Sequence, residues 1–244
     1  MNATINYLLH AADTNLILSQ RNSEWCGHGP VLEQDIAITN ISLDLLGQAR
    51  NFYQYAATLL NDNTTEDQLA YFRDERAYKN LLLVEQPKGD WAQTILRQYL
   101  FSQFQFLLYQ QLQQHTDTQI AAIAVKSLKE TTYHLRWSSE WVLRLGNGTD
   151  ESKKRMIQAI DNLWNYTGEM FVAADYETEL NINLQPIQTQ WTEKVNALFN
   201  EATLTVPQNI FQHLGGKTGM HTEHMGFILT ELQYVQRAYP GCEW

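Results

Sequence analysis

Apolar residues along the 244-residue chain recur three and four positions apart almost throughout, and no β-hairpin signal appears, so the pattern predicts helices. The prolines, Pro30, Pro87, Pro186, Pro207 and Pro240, punctuate that periodicity rather than interrupt it. A first helix is expected from about Thr4 to Ser23, ending in the turn Trp25-Cys-Gly-His-Gly-Pro30. A second runs from Pro30 to about Leu60, with Leu32, Ile36, Leu43, Leu46, Tyr53, Ala56 and Leu60 at mostly helical spacing. At 1.5 Å per residue it is about 45 Å long, a length that suits a bundle.

The polar Asn61-Asp-Asn-Thr-Thr65 leads to a shorter helical piece through Arg73-Asp-Glu-Arg76, and Leu81-Leu-Leu-Val84 ends at Gln86-Pro-Lys-Gly89. Asp90 is placed to cap a third long helix, Trp91 to about His115. Its Trp91, Tyr99, Phe101, Phe104, Phe106 and Tyr109 occupy more than one face, which predicts a subunit interface there. A fourth helix, Thr118 to Leu145, stops at Gly146-Asn-Gly148, glycines suited to a C-cap. Asp150 and Glu151 open a fifth, through Met156, Ile160, Leu163 and Trp164 toward Phe171. A loop from Asp175 to Pro186 precedes a helix near Ile187 to Ala202. The loop Leu214-Gly-Gly-Lys-Thr-Gly219 precedes a final amphipathic helix from about His221 to Tyr239. No repeat, low-complexity tract or flexible linker divides the chain, so residues 1–244 read as one all-α domain.

Charge and cysteine content narrow the function. With 17 Lys and Arg against 27 Asp and Glu, the formal net charge of −10 disfavours nucleic acid or an anionic membrane as the main partner. Cys26 and Cys242 form no CxxC pair or disulfide framework, and the first ten residues lack the basic and apolar regions of a signal peptide, so a cytoplasmic location is expected.

One stretch, Lys126-Ser-Leu-Lys-Glu-Thr-Thr-Tyr-His-Leu-Arg-Trp137, nearly spells a metal-ligand motif of ferritin-like four-helix bundles, in which Glu and His three residues apart enter the bundle core. His134 is present, but Thr131 stands at the Glu position and Glu130 lies four residues before the histidine. In the second helix the corresponding pair falls near Leu45 and Gln48. Leucine cannot ligate, glutamine replaces histidine poorly, and a histidine on an apolar face is more often a satisfied core residue than a ligand. Asp44, Gln48, Arg50, Lys129, Glu130 and His134 could form a metal-free polar network, while a solvated face is the plainer reading of Arg50, Lys129 and Glu130.

Three weaker signals remain. His221 and His224, in His221-Thr-Glu-His224, would share a face of the last helix and could coordinate zinc or iron, although no third ligand is evident. Gly216-Lys-Thr218 lacks the first glycine and the preceding strand of a P-loop, leaving Lys217 as a candidate contact for an anion such as a partner carboxylate or a coenzyme A phosphate. Cys26 beside His28 is too local a pairing to define a nucleophile.

Several longer strings together closely resemble the PaaC family, a subunit family of bacterial phenylacetyl-CoA epoxidase. They are Ser19-Gln-Arg21, Glu24-Trp-Cys-Gly-His28, Leu43-Asp-Leu-Leu-Gly-Gln-Ala-Arg-Asn51, Arg73-Asp-Glu-Arg76, Leu81-Leu-Leu-Val-Glu-Gln-Pro87, Lys129-Glu130 with Tyr133-His-Leu-Arg136, Arg144-Leu-Gly-Asn-Gly-Thr-Asp150 and His221-Thr-Glu-His224. The resemblance implies a ferritin-like four-helix bundle with additional helices, acting as the non-catalytic structural member of a multicomponent di-iron monooxygenase that epoxidises the ring of phenylacetyl-CoA. It further implies a hetero-oligomer with a homologous catalytic subunit, PaaA, which carries the iron and most of the phenylacetyl-CoA contacts, and a reductase bearing flavin and an iron–sulfur cluster. Laid over the catalytic pattern, Asn15 and Ser102 replace lone carboxylates, Leu45 and Gln48 the first Glu and His, and Thr131 and His134 the second. No metal is therefore expected in this chain. The competing reading is a ferritin-like oxidase with an unorthodox site of its own, using Glu130 and His134 or His221, Glu223 and His224.

Overall fold

The computed structural model describes residues 2–208 and 210–242. Among these no strand occurs. In chain order the helices are α1 (Ala3–Ser23), α2 (Leu32–Leu60), α3 (Glu66–Tyr71), α4 (Leu82–Glu85), α5 (Trp91–Leu112), α6 (Thr118–Gly146), α7 (Asp150–Leu163), α8 (Asp175–Glu179), α9 (Leu184–Glu201) and α10 (His224–Ala238). The chain is all-α and ferritin-like, with α1, α2, α5 and α6 as its four long helices and the rest additional. Residues 1–244, expected to form one domain, divide into two compact units: 1–87, 174–180 and 214–244 in the first, 88–173 and 181–213 in the second. No helix among the described residues is long and apolar enough to cross a membrane.

In the first unit α1 and α2 pack along one another. Asn2 begins α1 by accepting the Thr4 N–H at 2.9 Å, one of the four amides that a helix start leaves without an internal partner. Asn61 ends α2 in the left-handed conformation. Periodicity locates α2 and finds its buried Tyr53 and Ala56, but marks the wrong face before them. Leu32, Ile36, Leu43 and Leu46 are 71, 51, 60 and 40% exposed, whereas Ile38, Ile41, Leu45, Gln48, Phe52 and Ala56 are buried. Both sets recur at helical spacing, and spacing alone does not say which is inside.

In the second unit α5 starts where Asp90 accepts the Gln93 N–H at 3.0 Å, as expected. It is buried on nearly every face because α6, α7 and α9 all pack against it. Tyr99, Phe101, Phe104 and Tyr109 lie in this core. Several aromatic faces here mean several neighbouring helices, which corrects the subunit interface predicted from them. Trp191 of α9 anchors the packing: its indole N–H donates to Leu100 O at 3.0 Å and its ring lies 5.2 Å from that of Phe171.

The glycines after α6 also differ from expectation. Neither Gly146 nor Gly148 adopts a left-handed backbone, and the C-cap is Asn147. Gly146 instead permits close packing, since a Cβ there would sit 2.4 Å from Ala202 O. The loop expected from Asp175 contains α8, and α9 begins early enough to hold Pro186 in its first turn, where its missing N–H breaks no helical bond.

Candidate functional site

The positions matched to metal ligands fall three in each unit. In the first, Asn15 of α1 and Leu45 and Gln48 of α2 are all buried. Asn15 donates its amide to Ala11 O at 2.8 Å, along its own helix. Asp44 is half-buried and Arg50 exposed. In the second unit, Ser102 of α5 and Thr131 and His134 of α6 are buried. Ser102 Oγ accepts from Gln98 Nε2 at 2.8 Å, and Thr131 Oγ1 donates to Gln105 Oε1 at 3.3 Å. Glu130 is half-buried and Lys129 exposed, so the solvated reading holds for Lys129 as for Arg50.

A dinuclear iron or manganese centre in this fold draws on about four carboxylates and two imidazoles. At the matched positions the first unit offers two neutral amides and a leucine, and the second two hydroxyls and one imidazole. No ligand in either set is anionic, and these residues do not fit such a centre. Among the described residues no group of three or more His, Cys, Asp or Glu side chains is placed to hold a metal ion.

The buried charges of the first unit centre on residues that the sequence patterns pass over. Glu85 of α4 is fully buried. Its Oε1 accepts from Asn80 Nδ2 at 2.8 Å and His221 Nδ1 at 2.6 Å, and its Oε2 from the Thr222 N–H at 2.8 Å and hydroxyl at 2.6 Å. Arg21 donates to the Glu85 carbonyl through Nε at 3.0 Å and Nη2 at 2.8 Å. The other His221 nitrogen, Nε2, lies 3.0 Å from Tyr78 O. With an acceptor facing each nitrogen, only the cationic ring, which donates twice, satisfies both contacts. Burial by itself would lower the His221 pKa, but the hydrogen bond and charge of Glu85, helped by the Tyr78 carbonyl, outweigh it and raise the pKa above its ordinary value.

This arrangement corrects the paired-histidine reading. The final helix begins at His224, so His221 precedes it and the two rings do not share a helix face. Gly219, at φ 83°, turns the chain where a Cβ would lie 2.3 Å from Arg76 O. His221 is thereby carried to Glu85, while His224 remains half-buried and Glu223 exposed.

Lys217 is not available to an outside anion either. It is buried, and its ammonium lies 3.0 and 2.8 Å from the two carboxylate oxygens of Glu177. Glu177 Oε2 also accepts the Ala174 N–H at 2.8 Å. Beside this pair, His10 Nδ1 lies 2.7 Å from Lys79 O and Nε2 4.0 Å from Glu177 Oε1. Burial lowers the His10 pKa despite the opposing charge of Glu177. A third carboxylate, Asp13, accepts from the Tyr53 hydroxyl, the Arg73 guanidinium and the Lys79 N–H, the last at 2.8 Å. Arg73 also lies 4.2 Å over the Tyr78 ring. The local sign of Asp13 and Glu85 is a charge within or just after an apolar run, Leu8 to Leu18 and Leu81 to Val84. Cys26 is exposed, and His28 Nδ1 approaches its carbonyl at 3.1 Å.

The comparisons with known proteins are consistent along the whole chain. A family model described as phenylacetic acid catabolic protein matches residues 1–244. The chain is 49% identical over 249 residues to a subunit of the 1,2-phenylacetyl-CoA epoxidase of Escherichia coli (strain K12), with 100% of each chain covered.

Proposed function

The chain belongs to the phenylacetic acid catabolic protein family, and from that premise we propose that it is the non-catalytic structural subunit of a cytoplasmic phenylacetyl-CoA epoxidase. Its role is to bind and support a homologous catalytic subunit, in which the iron and the chemistry reside, while a reductase with flavin and an iron–sulfur cluster supplies electrons. The observation that carries this reading is the neutral donor set: amide, leucine, amide, hydroxyl, hydroxyl and one imidazole at Asn15, Leu45, Gln48, Ser102, Thr131 and His134. Such a set does not balance the charge of a pair of divalent or trivalent metals. Asn15, Ser102 and Thr131 are bonded to protein partners, to Ala11, Gln98 and Gln105 in turn.

The test is metal analysis of the chain purified without oxygen, together with co-elution and turnover. Substoichiometric iron and manganese, co-elution with the catalytic subunit and poor epoxidation by that subunit alone are the expected results. Stoichiometric metal that disappears in His134→Ala would overturn the reading, as would a catalytic subunit fully active and stable without this chain.

A further inference from the structure

We infer that the exposed seam of α2 is the docking face for a helix of another chain, and that this helix carries an apolar stripe flanked by Lys and Arg. The inference rests on the subunit reading above and adds to it a location and a partner chemistry.

Leu32, Ile36, Thr39, Leu43, Leu46 and Arg50 succeed one another at alternating steps of four and three residues. That is the spacing of a coiled-coil seam, and it lies opposite the face formed by Ile38, Ile41, Leu45 and Phe52. A long helix with one face in a core ordinarily turns a polar face outward. Here the face turned outward is largely aliphatic, with its four large apolar side chains 40 to 71% exposed.

Gly47 is a second, independent observation. A glycine in the interior of a 29-residue helix weakens it relative to alanine. Nothing in this chain requires it, because a Cβ built there meets no atom within 4 Å. Between Leu43 and Leu46 on one side and Arg50 on the other, it leaves a notch where a second helix can approach closely. Beyond the notch the seam continues into a groove of about 250 Å³ lined by Leu46, Ala49, Ala70 and Tyr71.

The surrounding charge selects the occupant. Glu33 and Asp44 border the seam, and Glu66 and Asp67 border the groove, with Arg50 as the cation among them. A second copy would set these acids against themselves in a chain whose formal net charge is already −10. A helix with basic flanks complements both the acids and the leucines.

The full-length chain and three variants, Leu43→Glu, Gly47→Leu and Gly47→Ala, are titrated with the purified homologous catalytic subunit by calorimetry, and the oligomeric state of each chain alone is measured by sedimentation. Leu43→Glu and Gly47→Leu should weaken association at least about 30-fold, as loss of a central hot spot does, without lowering the melting midpoint. Gly47→Ala should raise the midpoint of the free chain yet weaken association about tenfold. Wild-type binding should also weaken with added salt. Unchanged affinity in all three variants overturns the docking face while leaving the subunit reading intact. Failure of the wild-type chain to bind overturns that reading and the inference with it. A wild-type self-dimer broken by Leu43→Glu assigns the seam to a second copy and overturns the partner chemistry.

Discussion

In the first unit three carboxylates lie inside the protein opposite cations, Asp13 with Arg73, Glu85 with His221 and Glu177 with Lys217. In the second, the ion pairs Arg136–Glu140, Arg155–Asp90 and Arg155–Glu151 lie at the surface, and the interior holds Arg97 and Glu169 beside the neutral pairs Gln98–Ser102 and Gln105–Thr131. The difference follows how each unit is assembled. The first is gathered from three separate stretches of sequence, and Glu85–His221 and Glu177–Lys217 each join two of them. An apolar contact is indifferent to register, but a buried charge tolerates only its own partner, so these pairs specify which stretch meets which. The second unit, wrapped on α5, is built from two stretches, and among its described residues it buries fewer charges, Arg97 and Glu169, within a largely aromatic and aliphatic core.

That contrast is sharpest for Glu85. Glu85→Ala takes the counter-charge from buried His221, which favours its neutral ring, and leaves the Asn80 and Thr222 donors without their acceptor; it should cost about 3–5 kcal/mol in urea denaturation, with faster hydrogen exchange in α10. Lys217→Met should cost somewhat less, about 2–4 kcal/mol, because Glu177 keeps the Ala174 amide. Adding Glu177→Leu should recover most of the loss, which a double-mutant cycle measures. In the second unit the severe change is steric: Gly146→Ala, which drives a methyl into Ala202 O, should cost about 1–3 kcal/mol and lower the melting midpoint accordingly.

A smaller effect accompanies pH. The folded pKa of His221 lies above its ordinary 6.5, so its stabilisation is complete below about pH 6.5 and fades as pH rises through the folded value. His10, lowered by burial, acts in the opposite sense and costs stability as pH falls from about 6.5 through its folded value. Unfolding midpoints across this range should show His221→Gln flattening the alkaline decline and His10→Gln the acid one. At the far end, Arg136→Ala, which breaks a surface pair in the second unit, should leave the midpoint unchanged.

Local signals are legible in the sequence. The Asp90 cap, the span of α6 and the helical class follow from neighbours a few residues apart, and these are where expectation and structure agree. At the ligand positions the residue types alone indicate the chemistry, since leucine at 45 carries no donor atom and threonine at 131 no anionic one wherever they point. What stays hidden depends on distant partners. His221 and Glu85 are 136 residues apart and Lys217 and Glu177 are 40 apart, so no periodicity marks them, and Lys217 resembles an anion contact for that reason. The inner and outer faces of α2 and the covering of α5 are likewise hidden, because both faces carry apolar residues and only tertiary packing chooses between them.

The separation of Glu85 from His221 also sets an order of events on the ribosome. At about 5–20 residues per second, some 7 to 27 s pass between synthesis of the carboxylate and arrival of its imidazole. Asp13 waits less, since Arg73 follows it by 60 residues. The nascent first unit therefore holds an unmatched acid while every residue of the second unit is being added. A ribosome stalled before position 221 would display α1 to α4 in an unfinished, protease-sensitive form, and release of the remaining C-terminal residues would lock them.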